Sequence, residues 1–164
     1  MNKTQKILFE RTKLLAQKIR EYKDSERVEV IQFILGKEQY AIEAKSIKAI
    51  QPKSKITHLP GLPEVILGIT SLAGEIFTVL DLTKLLNIEH AKHDRQYIIF
   101  LNHSTVKISF LIDAIVDFKF IELKEIQQNI AGLKGIESGL IKGLLPGAIA
   151  LLNPVKLLSF KIKA

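Results

Sequence analysis

One segment near the end of the chain repeats the pattern of a segment near its middle. Residues 147–158 read Gly-Ala-Ile-Ala-Leu-Leu-Asn-Pro-Val-Lys-Leu-Leu, and with one gap they align with residues 74–86, Gly-Glu-Ile-Phe-Thr-Val-Leu-Asp-Leu-Thr-Lys-Leu-Leu. Each copy has a turn glycine, an apolar strand, a helix N-cap (Asp81 or Asn153) and a short helix ending in Lys-Leu-Leu. The repeat predicts a chain built from two similar β-rich halves.

Short apolar runs separated by turn residues fill both halves, about 28–88 and 95–164. The predicted hairpins join 28–35 to 38–42, 65–72 to 75–80, and 96–101 to 106–112, and a further strand covers 115–123. Strands this short, with turns this regular, suit small five-stranded barrels that are each closed by a short helix. The expected fold class is therefore mainly β.

The first 25 residues follow a different period. Apolar and small side chains recur at spacings of 4, 3, 4 and 3, namely Leu8, Thr12, Leu15, Ile19 and Tyr22. This is one face of a helix of about six turns, with Lys and Arg on the other face. Residues 1–27 carry eight basic and four acidic residues of a chain whose net charge is +7. We expect an amphipathic helix at 1–25, docked on the body or on a partner, and a basic nucleic-acid or membrane-surface binder stays an alternative.

The residues that usually carry chemistry do not form a catalytic set. Cysteine is absent, which excludes disulfides, thiolate nucleophiles and cysteine-ligated metal sites. His90 and His93 have a ligand-like spacing but lack a third ligand. Asp113 and Asp117 have no nucleophile nearby, so we expect turn capping and an exposed strand position. The glycine-rich segment 132–139 matches no nucleotide-binding motif and is expected to be a loop. The sequence predicts no enzyme, no cofactor and no metal.

Localisation and nucleic-acid binding follow from charge and hydropathy. No stretch approaches about 18 uncharged apolar residues, and the N-terminus lacks the apolar core of a secretory signal. The body after residue 27 is only mildly basic and contains no tryptophan, so it lacks the basic surface with aromatic platforms that nucleic-acid binding needs. We expect a cytoplasmic protein that binds no nucleic acid and does not insert into membranes.

Several phrases occur in the order that is typical of one family. They are Phe-Ile-Leu-Gly-Lys-Glu-Gln-Tyr-Ala-Ile at 33–42, Ser-Ile-Lys-Ala-Ile at 46–50, Ile-Thr-His-Leu-Pro-Gly-Leu-Pro at 56–63, the hairpin 68–82, Leu-Ile-Asp-Ala-Ile at 111–115, and the closing segment 151–158. Together they resemble the CheW family of chemotaxis coupling proteins, and residues 7–16 are similar to the helix that precedes some CheW domains. The resemblance covers nearly the whole chain.

The resemblance implies a CheW-like fold of two five-stranded, SH3-like β-barrels with short helices, in addition to the N-terminal helix. We expect the CheW-like domain at 28–164. Within it, the first barrel is expected at about 28–88, the second at about 95–152, and a C-terminal helix at about 153–160.

The implied function is that of a non-catalytic adaptor. Such a protein binds the regulatory domain of a CheA-type histidine kinase and the cytoplasmic hairpin tip of chemoreceptors, and is recruited to membrane-associated receptor arrays. Carried over by position, the residues expected to bind partners are Ile47, Ile50, Gly68, Ser71, Leu72, Ala73, Tyr97, Ile115 and Phe118. For these residues, barrel core is the alternative interpretation.

Three departures from the family pattern concern partner contacts. The usual phrase Asn-Leu-Arg-Gly reads Ser-Leu-Ala-Gly at 71–74, so Ala73 replaces an arginine that contributes to partner binding. Ala49 stands where the family often has an acidic residue on a short helix, and Thr78 replaces a proline. These changes leave open a CheW-like paralogue that binds only one partner, as a modulator or competitor.

Overall fold

The computed structural model describes residues 2–88, 94–128 and 139–159, with the backbone alone for 19–25. The elements in chain order are α1 (Lys3–Ser25), β1 (Arg27–Leu35), β2 (Glu38–Glu43), β3 (Ile47–Pro52), β4 (Ile66–Leu72), β5 (Glu75–Leu80), α2 (Leu82–Leu85), β6 (Tyr97–Leu101), β7 (Ile108–Ile112), β8 (Ala114–Glu122), β9 (Ile141–Leu145), β10 (Ile149–Leu152) and α3 (Pro154–Leu158). The mainly β fold class and the N-terminal helix are confirmed.

The strands form two five-stranded sheets. One has the order β8-β1-β2-β10-β9 and contains both ends of the domain, so we call it the terminal barrel; the other, β3-β6-β7-β5-β4, is the central barrel. Each sheet closes on itself just beyond an edge strand, through a bridge between Gln127 and Leu144 in the terminal barrel and between Thr57 and Ile69 in the central one. The expectation of two five-stranded units is confirmed.

The expected bounds of the two barrels are wrong. The hairpin β1–β2 belongs with the C-terminal strands, because β1 pairs antiparallel with β8 and β2 pairs parallel with β10. The central barrel therefore uses strands between residues 47 and 112, and the terminal barrel combines 27–43 with strands after residue 113. The repeat is real but circularly permuted: the hairpin β6–β7 of the central barrel corresponds to β1–β2 at the N-terminal end.

Local sequence signals explain the turns and helix starts. The Asp81 side chain accepts a hydrogen bond from the Thr83 N–H at 3.1 Å, and Asn153 accepts from the Val155 N–H at 3.2 Å. Pro154 follows at the first position of α3, where its missing N–H has no intrahelical partner to lose. Both caps end a strand and start a short helix, as the repeated pattern predicts.

The expected short helix around Ala49 is wrong. Only Ala44–Ser46 form a single 3-10 turn, after which β3 runs antiparallel to β6. Ala49 lies in β3 and packs against the interior of the central barrel. Pairing with β6 satisfies the backbone groups of this segment, which is therefore a strand rather than a helix.

The buried apolar side chains of the described residues form three clusters. Each barrel has its own interior cluster, and the largest cluster lies between the two sheets and contains Phe33 and Leu35 from β1, Phe110 from β7 and Leu157 from α3, all fully buried. Close packing of this shared core fixes the position of one barrel against the other.

Helix α1 begins at a complete capping box, in which Asn2 and Gln5 each accept a hydrogen bond from the other's backbone N–H. Its side chains are exposed throughout residues 2–18, so this part of the expected helix is not docked on the body. Within the described ranges, no helix is both long enough and apolar enough to cross a membrane.

Candidate partner-binding site

Strand β8 carries an apolar row that leads from the core to the surface. Its register against β1 shifts between Gln32 and Phe33, so that Phe33 faces Ile115 and Ile31 faces Phe118. A bulge adds one residue to one strand, which explains how Ile115 and Phe118, three residues apart, are placed opposite residues that share one side of β1.

The row becomes more exposed along the strand. Ile115 is half-buried against the cluster between the two sheets, whereas Phe118 is 55% exposed and Phe120 66% exposed. We call Ile115, Phe118 and Phe120 the β8 face. Two exposed aromatic rings side by side on one strand are typical of a partner-binding surface rather than of a free surface.

Phe120 is an exposed residue of this face that is not among the residues expected to bind partners. The sequence pattern could have identified it. Phe118 and Phe120 alternate with Asp117 and Lys119 in a predicted strand, and this alternation places both rings on one face.

Three further expected site residues lie beside the same core cluster. Ile47 and Ile50 are on β3 and Tyr97 is on the neighbouring strand β6, and all three are half-buried and pack against the cluster between the barrels. Ile115 packs against this cluster from the terminal barrel. The structure thus brings these four residues to one cluster at the junction of the barrels.

Gly68 and Leu72 have structural roles in the central barrel. Leu72 is buried in that barrel's interior cluster. At Gly68 the backbone φ is +146°, and a Cβ atom would lie 2.3 Å from the Thr57 carbonyl oxygen. Only glycine permits the close approach that forms the Thr57–Ile69 bridge.

Ser71 and Ala73 are exposed at the β4–β5 turn. Ala73 has a left-handed φ of 49°. Beside the turn, Glu75 is paired with Lys107 at 2.8 Å and with Lys48 at 3.2 Å. Hydrogen bonds from Lys107 and Lys48 lower the pKa of the Glu75 carboxyl. Both lysines beside the turn are therefore paired with Glu75.

A second polar group surrounds Glu43 at one end of the terminal barrel. The cavity here has a volume of about 620 Å³, and its lining includes Arg27, Glu43 and Lys45. Burial by itself raises the pKa of Glu43, but hydrogen bonds from Lys142 and Lys45, together with their charges, outweigh it and lower the pKa. The carboxylate is thus held ionised as one member of an ion-pair cluster, a structural role.

The candidate catalytic carboxylates bind backbone. Asp113 accepts a hydrogen bond from the Gly36 N–H at 2.7 Å, and exposed Asp117 accepts from the Phe118 N–H at 2.8 Å. The expected capping role and exposed strand position are confirmed. In the described part of the chain, no three His, Asp or Glu side chains are grouped to hold a metal ion. The His90–His93 pair and most of the glycine-rich segment 132–139 lie outside the described residues.

A family model described as the CheW-like domain matches residues 29–160, most of the chain. The chain belongs to the CheW-like domain family. The match spans both barrels and α3, and it begins after α1.

The relatives of this CheW-like chain agree with that assignment. It is 28% identical over 106 residues to the chemotaxis protein CheW of Bacillus subtilis, covering 64% of this chain and 68% of the relative. It is 29% identical over 119 residues to the chemotaxis protein CheW of Helicobacter pylori, covering 71% and 72%. The scaffolding protein CheW of Thermoanaerobacter tengcongensis superposes with a TM-score of 0.68 at 24% identity, over 77% of this chain and 88% of that one. This likeness shows the shared fold.

Proposed function

We propose that this CheW-like protein is a non-catalytic adaptor that couples chemoreceptors to a CheA-type histidine kinase in a chemosensory complex. Family membership supplies the class of function. The observation that carries the proposal is the β8 face, an apolar row that starts in the shared core and ends in two exposed phenylalanines. Such a surface accepts the apolar side of a helix.

The proposed receptor site lies at the junction of the barrels. A helical hairpin tip would pack against Phe118 and Phe120 and reach the half-buried side chains Ile47, Ile50 and Tyr97 at the edge of the core. The second partner, the regulatory domain of the kinase, would bind elsewhere, at a surface that includes the β4–β5 turn with Ser71 and Ala73. Coupling then requires that the adaptor binds one state of its partners more tightly than another. The protein would act in the cytoplasm, at membrane-associated receptor arrays.

The test is to measure binding of the two partners separately by titration calorimetry. Burying a phenylalanine contributes roughly 1.5–3 kcal/mol, so Phe118→Ser should weaken binding of a receptor-tip hairpin by about one to two orders of magnitude. Val155→Ser is the matched control, because Val155 is 69% exposed on α3. Equal receptor affinity of Phe118→Ser and Val155→Ser would refute the proposed site.

A second candidate function is that of a paralogue that binds only one partner. It is favoured by Ala73, which is exposed, neutral and without the family's guanidinium. A charge-assisted hydrogen bond is worth roughly 1.5–3 kcal/mol. If the second candidate is right, the kinase domain binds only after Ala73→Arg, whereas binding of both partners by the unmodified protein rules the candidate out.

The alternative of a nucleic-acid or membrane-surface binder depends on the basic residues of α1. It predicts binding that falls steeply with salt, and binding to both protein partners at physiological salt would exclude it as the main function.

A further inference from the structure

The apolar side of α1 is exposed over residues 2–18, the part of the helix whose side chains the structure describes. Leu8 is 58% exposed and Leu15 is 60% exposed, and Ile7, Phe9 and Leu14 are exposed beside them. Helices in proteins gain most of their stability from packing an amphipathic face, and isolated helices are marginal in water. A helix with a complete capping box and an unpacked apolar side therefore needs an apolar surface to cover it.

The β8 face is a second exposed apolar surface and is longer than the Leu8–Leu15 part of α1. At about 3.3 Å per strand residue, Ile115 to Phe120 spans roughly 17 Å. At about 1.5 Å per helical residue, Leu8 to Leu15 spans roughly 10 Å. The part of the helix row from Leu8 to Leu15 therefore fits within the strand row.

The connection between α1 and β1 prevents α1 from covering the β8 face of its own chain. The helix ends at Ser25 and β1 starts at Arg27, leaving one residue between them. The carbonyl oxygen of this residue, Glu26, accepts a hydrogen bond at 2.7 Å from the N–H of Leu123, just beyond the end of β8. Helix–strand connections generally have two to six residues, so α1 would have to unwind to turn back over its own β8.

Charge disfavours the pairing of two α1 helices. Residues 2–18 contain five basic residues and one acidic one, the basic ones being Lys3, Lys6, Arg11, Lys13 and Lys18. Two such helices repel each other. The β8 face instead has exposed Glu29 directly opposite Phe120 in the register, and this acidic neighbour complements a basic helix.

We propose that α1 of one copy docks on the β8 face of a second copy, and that the exchange is reciprocal in a two-fold symmetric dimer. Each copy then contributes one helix and one strand surface, so two equivalent contacts form at once. The proposal goes beyond the coupling function, because self-association requires neither receptor nor kinase. It also implies that the dimer and a receptor hairpin compete for the β8 face.

Sedimentation velocity of the full chain tests the association. The unmodified protein should form a concentration-dependent dimer. A charge at a buried apolar contact should raise the dimer dissociation constant at least about tenfold in Leu15→Glu and in Phe120→Glu. Val155→Glu should sediment as the unmodified protein does. Both altered residues are exposed in the monomer, so the fold is retained. A protein that stays monomeric, or a dimer that survives both substitutions, would overturn the proposal.

Cysteine cross-linking identifies the occupant, because the chain contains no cysteine. Single variants Leu15→Cys and Phe118→Cys are mixed and oxidised. The proposal predicts a mixed disulfide dimer between the two variants. Dominant cross-links between two Leu15→Cys chains would show helix pairing instead. A doubly substituted chain that cross-links within itself at high dilution would show docking on its own body, and either result refutes the proposal. Because partner binding is measured separately, failure here leaves the coupling function untouched.

Discussion

Replacing Gly68 with alanine should open the central barrel at its bridge. The added Cβ would lie 2.3 Å from the Thr57 carbonyl oxygen and 2.8 Å from its carbonyl carbon, and both are backbone atoms that cannot rotate away. Relief requires Thr57 and Ile69 to separate, and this breaks their two backbone hydrogen bonds of 2.8 and 2.9 Å. The φ of +146° adds strain for any residue with a Cβ.

The expected loss in the free energy of unfolding is the sum of these contributions. Two hydrogen bonds at about 1 kcal/mol each and backbone strain of roughly 1–3 kcal/mol give a loss of about 3–5 kcal/mol in the free energy of unfolding. For a chain of this length that loss lowers the Tm by roughly 6–20 °C. The assay is urea unfolding followed by circular dichroism.

Two other glycines separate steric clash from strain. Gly61 has a φ of +79° with nothing within 4 Å of a built Cβ, so Gly61→Ala should cost only about 1–2 kcal/mol of left-handed strain. Gly143 takes the place of Gly68 in the terminal barrel, but its nearest neighbour is the Ile126 side chain at 2.7 Å. That side chain can shift, and Gly143→Ala should cost about 1–3 kcal/mol. A Gly68→Ala loss no larger than that of Gly61→Ala would refute the reasoning.

Three further predictions concern charge and turn geometry. Arg95 contacts Asp81 at 3.0 Å, and their side chains are only 14% and 5% exposed. Arg95→Met leaves the buried carboxylate without its cationic partner and should lower the free energy of unfolding, measured in urea, by about 3–5 kcal/mol. A change under about 0.5 kcal/mol contradicts this. The pKa of Glu43 is lowered in the fold, so its contribution to stability is present above its ordinary value of 4.5 and is lost as the pH falls further. Glu43→Gln should therefore lose less stability than the unmodified protein between pH 5 and pH 3 in thermal melts, and an unchanged profile contradicts the assignment. Ala73→Gly relieves the strain of a left-handed φ of 49° and should raise the free energy of unfolding by about 1 kcal/mol. A free energy of unfolding below that of the unmodified protein would show that the turn carries no strain.

Local structure could be predicted from the sequence because its causes are local. The hairpin turns, the caps Asp81 and Asn153 and the repeated strand–helix unit depend on residues a few positions apart. The assignment of strands to barrels depends instead on pairings across the whole chain. The parallel pairing that brings residues 40–41 beside residues 150–151 leaves no local signal, so the permuted repeat was not predictable from pattern alone.

The candidate site shows the same limit. Ile115 and Phe118 were both expected to contact partners, yet one is half-buried and the other exposed. The register shift between Gln32 and Phe33 puts both residues on one side of the strand, and only Ile115 packs against the core cluster between the sheets; a strand pattern reveals neither fact. The period-2 pattern alone is enough to identify Phe120. The role of Gly68, in contrast, depends on contact with a segment 11 residues earlier in the chain.

The most direct test of the coupling function is reconstitution with a cognate kinase and a chemoreceptor signalling fragment. Autophosphorylation is measured for the kinase with receptor alone, with this protein alone, and with both. The account predicts that the kinase becomes receptor-dependent only when the unmodified protein is present, and that Phe118→Ser abolishes the dependence while Val155→Ser retains it. Kinase activity that is the same with and without the protein would contradict the proposed function.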